Sequence, residues 1–125
     1  MKKREDHPIQ KRGAFVFSAK KDLMAFPKEA MRTAGHNLDQ VQRGLTPASA
    51  KPLHGLGRGV MELKIIEDSD AYRVVYIAKF EEAIYVLDAF QKKSPTGSKL
   101  PQHIQSRIRD RYQHVKKHRP ALTKN

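Results

Sequence analysis

The sequence predicts a small α+β domain of order β-α-α-β-β-β-α: two N-terminal helices packed on a small, mostly antiparallel, twisted sheet, then a C-terminal helix. Three observations predict it. Between Arg58 and Lys93 the apolar runs GRGVMELKII, AYRVVYIAKF and AIYVLDAFQKK are separated by only a few polar residues, as sequential antiparallel strands are. Upstream, Met31, Ala34, Leu38, Val41 and Leu45 recur at steps of 3, 4, 3 and 4, the stripe of an amphipathic helix. Downstream, Ile104, Ile108, Tyr112 and Val115 recur at 4, 4 and 3, a second such stripe.

The elements follow in order. Residues 1–13 read as a flexible basic arm, with His7-Pro8 and Gly13 opposing regular structure. Residues 14–118 form the domain and 119–125 a flexible tail. Ala14–Phe17 is short, aromatic and β-branched, a first strand. Ser18 suits an N-cap; Ala19, Leu23 and Phe26 continue at helical spacing, and Pro27 stops that helix or opens the next. Gly44 closes the second helix. Thr46 to Gly59, rich in proline and glycine, reads as a loop carrying Lys51, His54 and Arg58. Its Gly-x-Gly-x-Gly has no strand before it and no helix after it, so it is not a dinucleotide loop. In Val60–Glu67, Met61, Leu63 and Ile65 face one way and Glu62 and Lys64 the other, a strand with one covered face. Tyr72–Phe80 and Ala83–Phe90 are apolar on both faces, hence central. The last helix should pack on the sheet and hold Arg107, Arg109, Arg111, Lys116 and Lys117 in solvent.

Composition narrows the function. There is no cysteine, which excludes disulfides and Cys-based zinc and favours the reducing cytoplasm. No apolar run reaches the roughly 20 residues of a membrane span, and no apolar core follows the basic N-terminus as in a signal peptide. The net charge of +12 is uneven: +7 over residues 1–59, −4 over 60–91 and +9 over 92–125. A slightly acidic sheet between basic flanks suggests a polyanionic partner, most simply nucleic acid.

The stretches SAKKDLMAFPKEAMRTAGHNLDQVQRG, KPLHGLGRGVMEL and YRVVYIAKFEEAIYVLDAFQKKS, in that order and covering about residues 15–115, resemble the phage-derived Gp49-like family. That family belongs to the HigB branch of the RelE/ParE toxins of type II toxin–antitoxin systems. The resemblance implies a RelE-like fold and a small cognate helix-turn-helix antitoxin of the HigA kind. No cofactor and no membrane association are expected. Members of the wider superfamily usually cut mRNA in the ribosomal A site. The expectation is therefore a metal-independent, ribosome-dependent mRNA endonuclease that inhibits translation. The alternatives are a ParE-like inhibitor of DNA gyrase and a basic nucleic-acid-binding module without catalysis.

Metal-free RNA cleavage needs a base for the 2′-OH, an acid for the 5′-oxygen and cations for the phosphorane. RelE-type toxins place a phosphate-contacting arginine in a similar YR-x-x-Y run, which implies that role for Arg73; the alternative is a structural ion pair with Glu62 or Asp88. They carry a basic pair after the last strand, which implies phosphate or rRNA contact for Lys92 and Lys93. Lys51, Arg58, Lys79 and Arg109 complete the expected RNA-binding set. His54 is the titratable candidate for acid or base, or else a surface histidine. Tyr112 could stack on a base or transfer a proton, or complete the core. The sequence departs from the family at two points. Glu62 stands about where RelE has a lysine, so it is a candidate base or a tether for Arg73. Asp88 stands where relatives often carry histidine. His114 and His118, at i and i+4, have no evident third metal ligand.

Overall fold

The computed structural model describes residues 11–93 and 99–122. In order these are β1 (Arg12–Phe15), α1 (Ala19–Met24), α2 (Lys28–Gln42), β2 (Ala50–Pro52), β3 (Val60–Glu67), β4 (Asp70–Ile77), β5 (Ala83–Lys92) and α3 (Gln102–Leu122). The five strands make one sheet of order β1-β5-β4-β3-β2. β2 to β5 pair antiparallel, and β1 lies parallel to β5 at the far edge. The α+β class holds, with a mixed sheet.

Local chemistry accounts for most boundaries. Asp68 and Ser69, both at positive φ, make the tight two-residue link between β3 and β4, the backbone that matches the twist of a hairpin. Gly44, at φ +88, ends α2, so Leu45 falls off the helical stripe and is exposed. Ser18 does not cap α1 with its side chain. Its hydroxyl donates to Asp22 Oδ2 instead, at 2.9 Å.

Three boundaries differ from the sequence expectation. β1 begins at Arg12, inside the stretch expected to be an arm, and ends at Phe15; residues 1–10 of that arm lie outside the described residues. Part of the expected loop is a strand: β2 pairs Ala50, Lys51 and Pro52 with Leu63, Glu62 and Met61, and Pro52 is tolerated because β2 is an edge. α3 continues to Leu122 past Pro120, with a non-helical residue at His118, the kind of kink a nearby proline produces.

The sheet is covered on both faces, as the apolar centres of β4 and β5 imply. On one face α1 and α2 bury Leu23, Ala34 and Leu38 against Leu63, Val74, Tyr76 and Val86. On the other, α3 lays Ile104, Ile108, Tyr112 and Val115 over Val60, Val75, Ile77 and Leu87. The arginines of α3 are not all in solvent, contrary to expectation. Val75 pairs with Asp88 but Tyr76 with Val86, so Leu87 is the extra residue of a β-bulge, and Leu87 and Asp88 both serve the α3 side. Asp88 is fully buried. It accepts two hydrogen bonds from Arg107, at 2.7 and 3.0 Å. Arg111 lies 3.7 Å from the same carboxylate and donates to the Leu87 carbonyl at 2.8 Å and to Ser18 Oγ at 2.9 Å. One buried anion therefore draws two helix cations inward.

A second ion pair fastens the end of α3. Arg119 donates to both oxygens of Glu82, at 2.8 and 2.9 Å, and lies 3.9 Å from the Phe80 ring centroid. Hydrogen bonding from Arg119, helped by the Tyr85 hydroxyl at 2.7 Å, holds the Glu82 carboxyl down at about 2 from its ordinary 4.5, against an upward push from burial. Burial, then the bond to Glu82, pushes the Tyr85 phenol up.

Two measurements check these anchors. Asp88→Ala strands two inward-facing cations and should cost about 3–5 kcal/mol in urea unfolding. Glu82 has a depressed folded-state value, so its contribution is complete above pH 4.5 and is lost as pH falls from there through about 2. Glu82→Gln should therefore melt below the wild type at pH 7, and the difference should close across that acid window.

Candidate nucleic-acid interface

Strand register brings together residues scattered in sequence. Directly paired residues share a face of the sheet. One row across the α3 face reads Lys51, Glu62, Val75, Asp88; the next reads Lys64, Arg73, Phe90; the last pairs Ala71 with Lys92. Lys51, Lys64, Arg73 and Lys92 thus lie on one face, around Glu62. Lys64 was not among the expected site residues. Its alternation with Glu62 was readable, but its position opposite Arg73 needs the register.

Arg73 and Glu62 are both buried, at 8% and 4% exposure. Arg73 Nε donates to Glu62 Oε2 at 3.1 Å. Arg73 NH1 is buried and has no hydrogen-bond partner. A lone buried donor is uncommon because its desolvation is not repaid. The Nε bond fixes one edge of the guanidinium and leaves NH1 as a donor still to be satisfied. On the adjacent strand, from Phe90, which pairs with Arg73, Lys92 and Lys93 border a 590 Å³ cleft with Phe90, Gln91, Pro101, His103 and Ile104.

The other expected residues gather elsewhere, around the glycine-rich loop between β2 and β3 and the facing flank of α3. His54 lines a 310 Å³ cleft with Lys99, Gln105 and Arg109, and a neighbouring one with Arg58. His54, Arg58 and Arg109 are exposed. Tyr112 is buried, and its hydroxyl accepts the Arg58 backbone N–H at 3.1 Å. Its ring lies against Gly57, where an added Cβ would come within 2.7 Å of the ring carbons. Gly57 is at φ +143, so this close approach demands glycine twice over. Lys79 Nζ and Lys116 Nζ sit 5.8 and 5.6 Å from the Tyr112 ring centroid. Tyr112 therefore clamps the loop while two lysines border its ring. The expected set resolves into an Arg73–Glu62 group and a His54–Tyr112 group.

Among the described residues, no three His, Cys, Asp or Glu side chains gather as a metal site requires. His114 and His118 stack on each other, centroids 4.6 Å apart. Among the same residues, no helix is long and apolar enough to cross a membrane.

Fold and surface together define a small α+β protein, compatible with a RelE-like fold, whose sheet presents a cationic face beside a helix. The model of the family described as phage-derived protein Gp49-like (DUF891) matches residues 21–113. The chain belongs to this family, which is one of RelE/HigB-type toxins. No curated protein matches the sequence significantly. Membership marks the chain as a toxin of a toxin–antitoxin system and implies an antitoxin partner.

If Tyr112 serves the loop by its ring and one hydrogen bond, Tyr112→Phe should cost about 1 kcal/mol in urea unfolding. Growth arrest on expression should persist in that variant, whereas a proton-transferring tyrosine would lose it.

Proposed function

We propose that the chain is a type II toxin that inhibits translation by cleaving mRNA without a metal ion, in the ribosomal A site, in the cytoplasm. In this reading it is silenced by a helix-turn-helix antitoxin of the HigA kind. The observation that carries the reading is Arg73: a buried guanidinium held at Nε by Glu62, with NH1 unsatisfied, on a face that also bears Lys51, Lys64 and Lys92.

That arrangement suits phosphoryl chemistry. The ion pair fixes the guanidinium before substrate arrives, and a phosphate reaches NH1 once the side chains over it move aside, where the donor meets the developing phosphorane charge. Glu62 opposes an incoming phosphate, and Lys51 and Lys64, on its own face, offset that repulsion. Glu62, held by Arg73 at one oxygen, is the candidate acceptor of the 2′-OH proton at the other. His54, on the exposed loop, is the candidate donor to the 5′-oxygen. Lys92, Lys93, Lys79, Arg58 and Arg109 supply cations along the RNA backbone, where each neutralised phosphate adds affinity that salt weakens. A basic chain also pairs readily with an acidic antitoxin.

The gyrase-inhibiting alternative needs no cleavage site, and the burial of the Arg73–Glu62 pair to more than nine-tenths is also what a purely structural ion pair would show.

Arg73→Lys keeps the charge and loses the planar fork. It should lower A-site cleavage by about 10²–10³, read by primer extension on transcripts from induced cells, with circular dichroism confirming the fold. Intact transcripts across a wild-type growth arrest, with a DNA-damage response, would establish the alternative instead.

A further inference from the structure

On the flank of α3 away from His54 and Arg109, three rings form a run at the surface. Phe17 lies 4.6 Å from His114, and His114 lies 4.6 Å from His118, centroid to centroid, each pair tilted by 49° and 44° respectively. Phe17 is 65% exposed. Its backbone sits at φ +51, the left-handed region that a bulky aromatic rarely enters. Burial does not explain the residue, because its neighbour Val16 fills the core in its place. The bonds around it maintain the conformation: Val16 N–H to the Val86 carbonyl, Ala19 N–H to the Val16 carbonyl, and Ser18 between Asp22 and Arg111. Strain held at an exposed aromatic points to a role for the ring.

We propose that Phe17, His114 and His118 are a stacking platform for unpaired RNA nucleotides. Phe17 and His118 are exposed, and His114 lies half-buried between them. The Arg111 guanidinium lies 5.7 Å from the Phe17 centroid and is itself tied to Leu87 and Ser18. Exposed Lys20 and Lys21 follow Phe17 by three and four residues, and exposed Lys117 follows His114 by three. Two acids lie as close in sequence, Asp110 one turn before His114 and Asp22, which is engaged by Ser18. The surrounding segment 92–125 carries net charge +9. Aromatic faces bordered by cations are how proteins hold single-stranded RNA with little regard to sequence. A docked protein helix would instead ask for a wide aliphatic groove, and two of these three rings are imidazoles. The platform is remote in role from Arg73: it holds RNA and cuts nothing, so it stands or falls separately from the cleavage reading.

The test is fluorescence anisotropy with the full chain and a labelled 2′-O-methyl RNA hexamer, which has no free 2′-hydroxyl to react. The comparison is the same hexamer made abasic, equal in charge and lacking bases. The wild type should bind the base-bearing hexamer about tenfold tighter than the abasic one, the range of stacking one base. Phe17→Leu, which keeps apolar bulk without a π-face, should bring that ratio close to one and leave abasic binding unchanged. Phe17→Gly removes the ring and suits the positive φ, so it should fold at least as well and show the same loss. A wild-type ratio near one would overturn the proposal, as would a ratio that survives in both variants. Variants that lose binding to the cognate antitoxin while keeping the ratio would also overturn it and make the rings a protein-docking site.

Discussion

The fold depends on a carboxylate shut off from solvent. Asp88 is completely buried at the middle of the sheet, and burying a lone charge is prohibitive unless cations meet it. Arg107 and Arg111 meet it from α3, and Arg111 reaches on to Ser18 at the start of α1. The bulge at Leu87 makes this possible, because it sets Asp88 on the α3 side and frees a carbonyl that Arg111 then satisfies. Apolar packing alone would let α3 slide along the sheet. A buried, hydrogen-bonded anion with two fixed partners gives it one register, a role for which such groups are known.

The position of α3 in turn decides what the surface offers. Its apolar stripe covers the centre of the sheet, so the polar side chains of that face come to lie around its borders. Near β5 its first turn borders the cleft beside Lys92 and Lys93. Near β2 its flank faces the glycine-rich loop, with Tyr112 against Gly57. On the remaining flank it carries the imidazoles that meet Phe17. One helix borders all three surfaces, and each draws on cations of the basic C-terminal third.

Much of this was legible in the residues, for reasons that are local. The α2 stripe, the two-sided apolarity of β4 and β5, and the short hairpin links all report geometry within about ten residues. What stayed hidden depends on partners distant in sequence. β2 is three residues with a proline, and only β3 makes it a strand. Arg107 and Arg111 read as solvent-facing because an arginine beside an apolar stripe normally is; Asp88, on β5, draws both inward and buries Arg111. The candidate site divides along the same line. The sequence points to both Arg73 and Glu62 and offers their pairing as the alternative to phosphate contact. The orphaned NH1 and the place of Lys64 in the cationic face depend on strand register and packing, which a linear pattern does not carry. Ala14–Phe17 reads as a strand because it is aromatic and β-branched, but β1 ends at Phe15, and the outward turn of Phe17 follows from a backbone angle that no residue pattern encodes.

The parallel edge strand has a consequence in time. Of the described strands, β1 is the first made and its partner β5 the last. The bond between Ser18 and Arg111 joins residues 93 positions apart. Ordering such distant segments carries an entropy cost before any contact rewards it, and topologies of this kind fold slowly. On a nascent chain, the hairpin of β3 and β4 can form as soon as it emerges. β1 must wait unpaired until β5 is made, and α1 is not tied to α3 until residue 111 has been added. Until then the bulge carbonyl and the Asp88 carboxylate have no arginines, so the cationic surfaces around α3 cannot yet exist. The order of synthesis thus delays assembly of the proposed RNA-binding faces to the final stage of folding.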